Sequence, residues 1–369
     1  MRFPKLQPLR AQSDEMLHLD MLRFVASCGI VLHHSLEFFF RRADRPMVDR
    51  SSFGLAIFVD LFFVISGYVI AHVYAERVAT LGDFGQFMKR RFGRLVPLHW
   101  LTFVLSIAVW IAILMAGARA EHTPSLSPLC LSETTLLVQA AYPCGGIIFN
   151  GVSWSISAEM GMYVAFPLIC FLARRSRYLP LLLAASFLGV ISVSTDFSRG
   201  PSSVWAWTEI HPYLRAAPSF LFGVGLWYCR SFVQRLPAPQ VVLVLALTAL
   251  VCVMLELPSA TVTLALVAVV AVAAIAADLQ KKAGPIVKLF APLGQLTYSI
   301  YMWHWLFILI IMNIVGDKLL NGQGLVMAAL AIATYLSVLA WSYISFQWIE
   351  TPARRYIDRR PIFSKPKLG

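Results

Sequence analysis

The chain has 369 residues, of which 59% are hydrophobic and only 14% are charged, and its formal net charge is +12. Soluble domains carry about 25% charged residues, so this composition excludes an ordinary soluble protein and indicates an integral membrane protein. In a soluble chain this charge would suggest nucleic acid, but here the Lys and Arg residues lie between apolar runs, as cytoplasmic loops do. We therefore expect membrane lipids as partners and no nucleic acid.

Apolar runs of about 20 residues, the length that crosses the hydrocarbon core, recur along the whole chain. We expect an all-α, polytopic membrane helical bundle of about ten transmembrane helices at residues 19–347, between a cytoplasmic N-terminal segment (1–18) and a basic cytoplasmic tail (348–369). The region 239–278 can also be divided differently. The predicted spans are residues 19–40, 53–75, 98–117, 152–173, 178–195, 213–230, 239–257, 261–278, 291–314 and 324–347.

The distribution of basic residues predicts the orientation, because cytoplasmic loops are enriched in Lys and Arg. With the N-terminus inside, the cytoplasmic segments hold 22 of the 31 Lys and Arg residues. Both termini are therefore expected in the cytoplasm, although the outside loop at residues 41–50 is also rich in arginine.

The first span carries two costly side chains, Arg23 and His34, eleven residues apart. Eleven residues make about three helical turns, so both project from one face and lie about 16 Å apart. Each has a structural alternative: Arg23 as an interfacial anchor paired with Asp20, and His34 as a packing residue. Together they favour a polar groove in which Arg23 binds an anion and His34, oriented by Glu37, acts as a general base.

The second span contains Asp60, which either forms an ion pair with an arginine or lines a cavity. Its Ser66-Gly67 pair favours a close helix contact. The next segment, residues 83–97, mixes phenylalanine with basic residues, which is typical of an interfacial helix on an anionic leaflet. Its cations are suited to docking an anion, and they are Lys89, Arg90, Arg91 and Arg94.

The long loop at residues 118–151 contains Cys130 and Cys144, which can pair if the loop faces an oxidising compartment or can stay free. Its segment Leu131–Ala141 is apolar enough to dip toward the membrane. No cysteine spacing indicates a zinc site.

The fourth span begins with a polar run that is tolerated at membrane depth only where it lines a cavity. Glu159 and Tyr163 lie four apart on one helical face, and the ninth span adds Tyr301 and His304, the latter with a structural hydrogen bond as its alternative. The candidate cavity-lining or acceptor-binding residues are Asp60, Trp154, Ser155, Ser157, Tyr163, Tyr301 and His304.

Together these segments resemble the acyltransferase 3 family, the integral membrane enzymes that O-acetylate bacterial surface carbohydrates. The family's opening arginine–ten residues–histidine motif selects Arg23 and His34 and not His33; His99 stands where tyrosine is common. Six segments carry the resemblance, in this order: LDMLRFVASCGIVLHHS, FVDLFFVISGY, KRRFGRLVPLHW, WSISAEMGMYVAFPL, GQLTYSIYMWHW and IETPARR.

The resemblance implies an acyl-CoA donor, usually acetyl-CoA, on the cytoplasmic side of a bacterial inner membrane, and a carbohydrate hydroxyl as acceptor from the other side. It implies His34 as the catalytic residue and Arg23 as linked to the donor; we add Glu159 as a catalytic candidate that either orients His34 or binds the acceptor. We expect Ser66, Arg90, Arg91 and Arg94 at the donor site. No tightly bound cofactor is expected, no metal and no fused extracytoplasmic hydrolase-like domain, and a homo-oligomer is possible.

Two other classes of function compete with an acyltransferase. A transporter or flippase of a glycan or acylated precursor also places charge inside the membrane, and it predicts substrate movement without an acyl donor. A membrane scaffold leaves Arg23, His34 and Glu159 without a role.

Overall fold

The computed structural model describes residues 6–9, 16–41, 54–115, 125–141, 149–195, 211–255 and 259–359, with the side chains of all of these except 37–41 and 255. Within these ranges the regular structure is helical throughout. The α-helices are α1 Leu17–Arg41, α2 Phe58–Tyr74, α3 Leu81–Met115, α4 Pro128–Leu136, α5 Trp154–Arg175, α6 Leu179–Ser194, α7 Pro212–Tyr228, α8 Arg230–Val233, α9 Pro239–Leu255, α10 Ala260–Leu279, α11 Pro285–Phe290, α12 Thr297–Phe307, α13 Leu325–Ser345 and α14 Thr351–Arg359.

One 3₁₀-helical and two π-helical segments connect the last α-helices, so that they form two long continuous rods. A 3₁₀ segment, Ala291–Leu296, links α11 to α12, and a π-helical segment, Ile308–Leu319, continues α12. A second π-helical segment, Phe346–Glu350, joins α13 to α14. The chain therefore runs without a loop from Pro285 to Leu319 and from Leu325 to Arg359.

Many of the helices are suited to a bilayer. Five helical stretches are long and apolar enough to cross one, and three shorter apolar helices accompany them. The five are Leu81–Met115, Trp154–Arg175, Ala260–Leu279, Pro285–Leu319 and Leu325–Arg359. Each of the ten predicted spans coincides with a helix, so the all-α, multi-pass architecture is confirmed, while ten crossings and the orientation stay predictions.

The basic segment at residues 83–97 is not a separate interfacial helix. It forms the first half of α3, which continues without a break to Met115. The C-terminal helix α14 folds back on this half: Ile357 packs beside Gly93, and Lys89 Nζ donates to the backbone oxygen of Asp358 at 3.1 Å. The C-terminal end of the last long rod, helix α14, therefore packs against the basic first half of α3.

Helices α2 and α7 approach each other through glycine. A Cβ atom on Gly67 would lie 2.1 Å from the backbone oxygen of Phe220, and one on Gly223 would lie 2.0 Å from that of Val64. The predicted close helix contact at Ser66-Gly67 is therefore present.

We expect Gly67→Ala to destabilise the folded protein by about 1–3 kcal/mol, because two packed backbones must separate to admit the methyl group. The measurement is the thermal unfolding midpoint in detergent. Gly189→Ala is the matched control: Gly189 lies in the apolar helix α6 and a Cβ atom there meets nothing within 4 Å. Equal midpoints for both variants would contradict the backbone contact.

Candidate active site

A narrow cavity of about 90 Å³ lies between α1, α2, α3, α5 and α12. One wall is apolar, with side chains of α2 such as Phe62 and Phe63. The other walls carry most of its polar groups. Eight of the predicted site residues line this inner cavity: Arg23, Ser66, Arg91, Arg94, Ser155, Glu159, Tyr163 and Tyr301.

Glu159 is the hydrogen-bond acceptor at the centre of the inner cavity. Ser66 Oγ donates to Glu159 Oε1 at 2.5 Å, and Tyr163 Oη donates to the same oxygen at 2.6 Å. The Ser66 and Tyr163 oxygens are 3.2 Å apart. The i,i+4 pairing on α5 is thus as expected, but Glu159 bonds to these hydroxyls and does not orient His34 within the described chain.

A second, wider cavity of about 330 Å³ adjoins the first. Three residues, Arg23, Arg94 and Tyr298, line both cavities. Seven of the twelve residues that line this wider, outer cavity are charged, and four of those seven belong to the C-terminal part of the chain. Its charged residues are Asp20, Arg23, Arg94, Glu350, Arg354, Arg355 and Asp358.

Only some of the charged side chains of the outer cavity form ion pairs. Arg23 Nη1 lies 3.5 Å from Asp20 Oδ1, the predicted partner, and Arg354 Nε lies 3.8 Å from Asp358 Oδ2. Glu350 accepts a hydrogen bond from Ser299 of α12. Within the described chain neither Arg94 nor Arg355 forms an ion pair or a hydrogen bond, so two cations remain for an anionic ligand.

The other two predicted donor-site arginines differ. Arg91 Nη2 donates to Tyr74 Oη at 3.3 Å, and its guanidinium lies 5.3 Å from the centre of the Tyr74 ring and 6.0 Å from that of Tyr163. Arg90 is exposed and lines neither cavity. Arg91 therefore belongs to the cavity wall, whereas Arg90 lies outside it.

His34 lies behind the inner cavity rather than in its wall. Its ring is half-buried and stacks on the ring of His304 at 5.3 Å, with the edge of Trp305 also at 5.3 Å. The His304 ring lies 5.6 Å from that of Tyr301, which lines the cavity. Two aromatic contacts thus link His34 to the cavity. The predicted partner Glu37 lies outside the described side chains.

Asp60 and Ser157 form structural contacts away from the cavity. Arg215 Nη2 lies 3.2 Å from Asp60 Oδ2, both side chains are 6% exposed, and the guanidinium lies over the Trp154 ring at 5.0 Å. This is the ion-pair alternative for Asp60. Ser157 Oγ donates to Leu137 O at 2.8 Å, which holds the segment after α4. The sequence did not identify Arg215 as the partner of Asp60, because only the fold brings the two residues together.

The long loop docks on α3 through its short helix α4. His99 Nε2 lies 2.8 Å from the carbonyl oxygen of Thr134, and Trp100 Nε1 donates to that of Thr135 at 2.9 Å. Cys130 is disulfide-bonded, while Cys144 lies outside the described residues. A bonded Cys130 agrees with a loop that faces an oxidising compartment.

Over the described residues, the fold and site define an all-helical, multi-pass membrane protein with two adjoining, arginine-lined cavities close to a pair of stacked imidazoles. The family described as an acyltransferase domain matches residues 16–346, so the chain belongs to the acyltransferase 3 family. The resemblance to that family is thereby confirmed, and five of the six segments lie within the matched residues. No solved structure matches the chain significantly.

Three curated bacterial proteins illustrate the similarity. Protein 2 in the picA locus of Rhizobium radiobacter is 39% identical over 106 residues, which are 28% of this chain and 50% of that protein. Acyltransferase MdmB of Streptomyces mycarofaciens is 30% identical over 42% of this chain and 40% of its own length. Exopolysaccharide production protein ExoZ of Rhizobium meliloti (strain 1021) is 26% identical over 67% of this chain and 74% of its own. The chain thus spans half or less of the first two relatives.

Proposed function

We propose that this protein is a membrane O-acyltransferase that moves an acyl group, acetyl in the simplest case, from cytoplasmic acyl-CoA to a hydroxyl of a carbohydrate or glycoside. The observation that carries the proposal is the pair of adjoining cavities. A wide chamber lined by four arginines shares Arg23 and Arg94 with a narrow chamber. Tyr301 of the narrow chamber contacts the ring of His304, on which His34 stacks. Acyl-CoA has the same division into a polyanionic head and a narrow, uncharged arm.

The outer cavity is suited to the phosphates of the donor. Arg94 and Arg355 have no partner within the described chain, and Arg23 and Arg354 each have only one ion-pair partner there, so their guanidinium groups can form charge-assisted hydrogen bonds with phosphate oxygens. Asp20 and Asp358 offset part of the positive charge of this group. With the predicted N-in orientation this chamber faces the cytoplasm, where acyl-CoA is found.

The inner cavity is suited to the pantetheine arm and the thioester. The helical distance from Arg23 to His34 is about 16 Å, so an arm anchored at Arg23 and Arg94 extends toward the imidazoles. Tyr301 at the inner end is hydrogen-bonded to Ser155, with oxygens 2.7 Å apart. Both oxygens also lie within hydrogen-bond distance of the Val152 carbonyl oxygen, so one hydroxyl must give up its present acceptor to donate to the thioester oxygen as the reaction proceeds.

In the proposed transfer His34, two ring contacts from the inner cavity, is the base, and the acceptor hydroxyl binds between it and the thioester. His34 takes the proton of the acceptor hydroxyl, the hydroxyl oxygen bonds to the acyl carbon, and the carbon–sulfur bond breaks with the electron pair on sulfur. The proton then passes to the leaving thiolate. Alternatively His34 attacks first and carries the acyl group transiently. A burst of CoA release, or acyl label trapped on the protein without acceptor, would select the second route.

Purified protein in proteoliposomes, given labelled acetyl-CoA and a glycan extract, tests the function. Donor-dependent label in the glycan fraction is expected. Movement of a glycan across the bilayer without any acyl donor would favour the flippase instead. Mass spectrometry of surface glycans and secreted glycosides, with and without the protein, would identify the acceptor and the acyl group through the mass shift. The name of ExoZ makes exopolysaccharide the first acceptor to examine.

Replacing Arg354 and Arg355 together by alanine is expected to raise the KM for acyl-CoA about fivefold, with kcat little changed. Each contact is solvent-exposed and contributes roughly 0.5 kcal/mol, which is why the effect is modest and should fall as salt is added. Lys288→Ala removes an exposed cation of α11 outside both cavities and is the matched control. An unchanged KM in the double variant would show that α14 does not contribute to donor binding.

A further inference from the structure

His304 holds a buried nitrogen that has no partner. The side chain is fully buried on α12, and its Nδ1 lies 3.2 Å from the carbonyl oxygen of Ile300. Because a carbonyl oxygen only accepts, Nδ1 carries the proton and Nε2 presents a bare lone pair. That Nε2 has no hydrogen-bond partner within the described chain. A buried acceptor without a partner is uncommon and calls for a physical explanation.

The position of His304 links the two parts of the proposed reaction. Its ring is nearly parallel to that of His34, with 22° between the planes and 5.3 Å between the centres. One turn earlier on the same helix, Tyr301 reaches the inner cavity. The His304 ring therefore contacts both Tyr301, which lines the chamber proposed for the thioester, and the proposed base.

Asn150 has a second buried hydrogen-bond acceptor without a partner within the described chain. Its side chain is 1% exposed, and its Nδ2 donates to the backbone oxygen of Met302 at 3.0 Å, two residues before His304. Its Oδ1 has no partner within the described chain. The next residue, Gly151, lies against the ring of Trp305, which is 5.3 Å from that of His34 and nearly perpendicular to it. The turn before α5 thus packs on the helix that carries His304.

Both unpartnered atoms are hydrogen-bond acceptors, and this decides the ligand chemistry. Phosphates and thioester oxygens offer lone pairs and need donors, so they do not complement these atoms. Hydroxyl groups offer protons and do complement them. A carbohydrate carries further hydroxyls beside the reacting one, whereas a simple alcohol does not.

We propose that His304 Nε2, with Asn150 Oδ1, binds the hydroxyls next to the reacting hydroxyl and so positions a polyhydroxylated acceptor for His34. This rests on the proposed acyltransferase function and names the acceptor class of the same site. His34 takes the proton of the reacting hydroxyl, and that oxygen bonds to the acyl carbon as the carbon–sulfur bond breaks. His304 keeps its proton on Nδ1 and stays neutral throughout; it is a substrate-positioning residue.

His99 provides a matched comparison within the chain. It is equally buried, one of its nitrogens also faces a carbonyl, and its Nδ1 also lacks a partner within the described chain. Its ring, however, stacks on Phe103 at 6.1 Å. His99 therefore controls for the loss of a buried imidazole on a different helix.

The test compares His304→Phe, His304→Gln and His99→Phe with the wild type. Acyl transfer is measured in native membranes, which contain the acceptor, and donor binding and acceptor-free donor hydrolysis are measured on purified protein. For His304→Phe we expect transfer to fall about 10- to 100-fold, with the donor Kd and hydrolysis within about twofold of wild type. Gln at 304 places an oxygen near the Nε2 position and should recover part of the transfer. His99→Phe should transfer normally per folded molecule.

Several outcomes would overturn the proposal. Wild-type transfer by His304→Phe, no advantage of His304→Gln over His304→Phe, or an equal loss of donor binding and transfer would each contradict a positioning role for His304. A loss in His99→Phe as large as that in His304→Phe would show a general packing effect. Failure of the wild-type protein to transfer acyl groups from any acyl-CoA would instead refute the proposed function itself.

Discussion

Replacing His34 by alanine is expected to lower acyl transfer by about 10²–10⁴-fold while the Kd for acyl-CoA stays within about threefold of wild type. His34 lies behind Tyr301 and His304, outside the lining of both cavities, so its loss leaves the donor contacts in place. The loss should appear in kcat for every acceptor, because the group removed is the one that takes the hydroxyl proton. Initial rates with labelled acetyl-CoA and donor titrations on the same preparation measure both quantities.

The neighbouring His33 is the matched control for this variant. It is 7% exposed, and its ring lies 4.6 Å from that of His34 at a 51° angle, so His33→Ala removes a more deeply buried imidazole from the same helix. We expect His33→Ala to retain most of the transfer per folded molecule. Full activity of His34→Ala would refute His34 as base or acyl carrier, and equal losses in both variants would indicate a packing effect on α1.

Local signals in the sequence predicted the helices well. Each apolar run is long enough to form a helix by itself, and every predicted span coincides with one. Pairs within one helix were also predictable: Glu159 and Tyr163 are hydrogen-bonded, and Asp20 contacts Arg23. Both pairs depend only on the helical repeat, which the spacing of the residues determines.

Contacts between segments that are far apart in the chain could not be predicted from the sequence pattern. Asp60 and Arg215 are 155 residues apart, and nothing in either span indicates the other. The outer cavity depends on α14 folding back along α3, so Glu350 and Arg355 could be recognised as parts of a motif but not as cavity residues. The hydrogen-bond partner of Glu159 was unpredictable for the same reason. The helical spacing predicts which face of α5 carries Glu159, but the packing of α2 against α5 decides whether that face meets Ser66 or His34.

Replacing Arg215 by methionine, or Asp60 by leucine, is expected to destabilise the protein by about 3–5 kcal/mol, while the double replacement costs much less. Each single change leaves one buried charge without its partner, at two side chains that are only 6% exposed. The double change removes both charges and fills the space with apolar atoms. The difference between the single and double variants is measured by thermal unfolding midpoints in detergent.

The exposed pair Arg354–Asp358 supplies the matched control for stability. Its side chains are 49% and 38% exposed and 3.8 Å apart, so single and double replacements there should change the midpoint little. Activity of the Asp60→Leu/Arg215→Met double variant then decides between the two roles considered for Asp60. If the folded double variant transfers acyl groups at the wild-type rate, the pair acts by joining α2 to α7. If it folds but loses transfer, the carboxylate of Asp60 binds the acceptor and the structural interpretation is wrong.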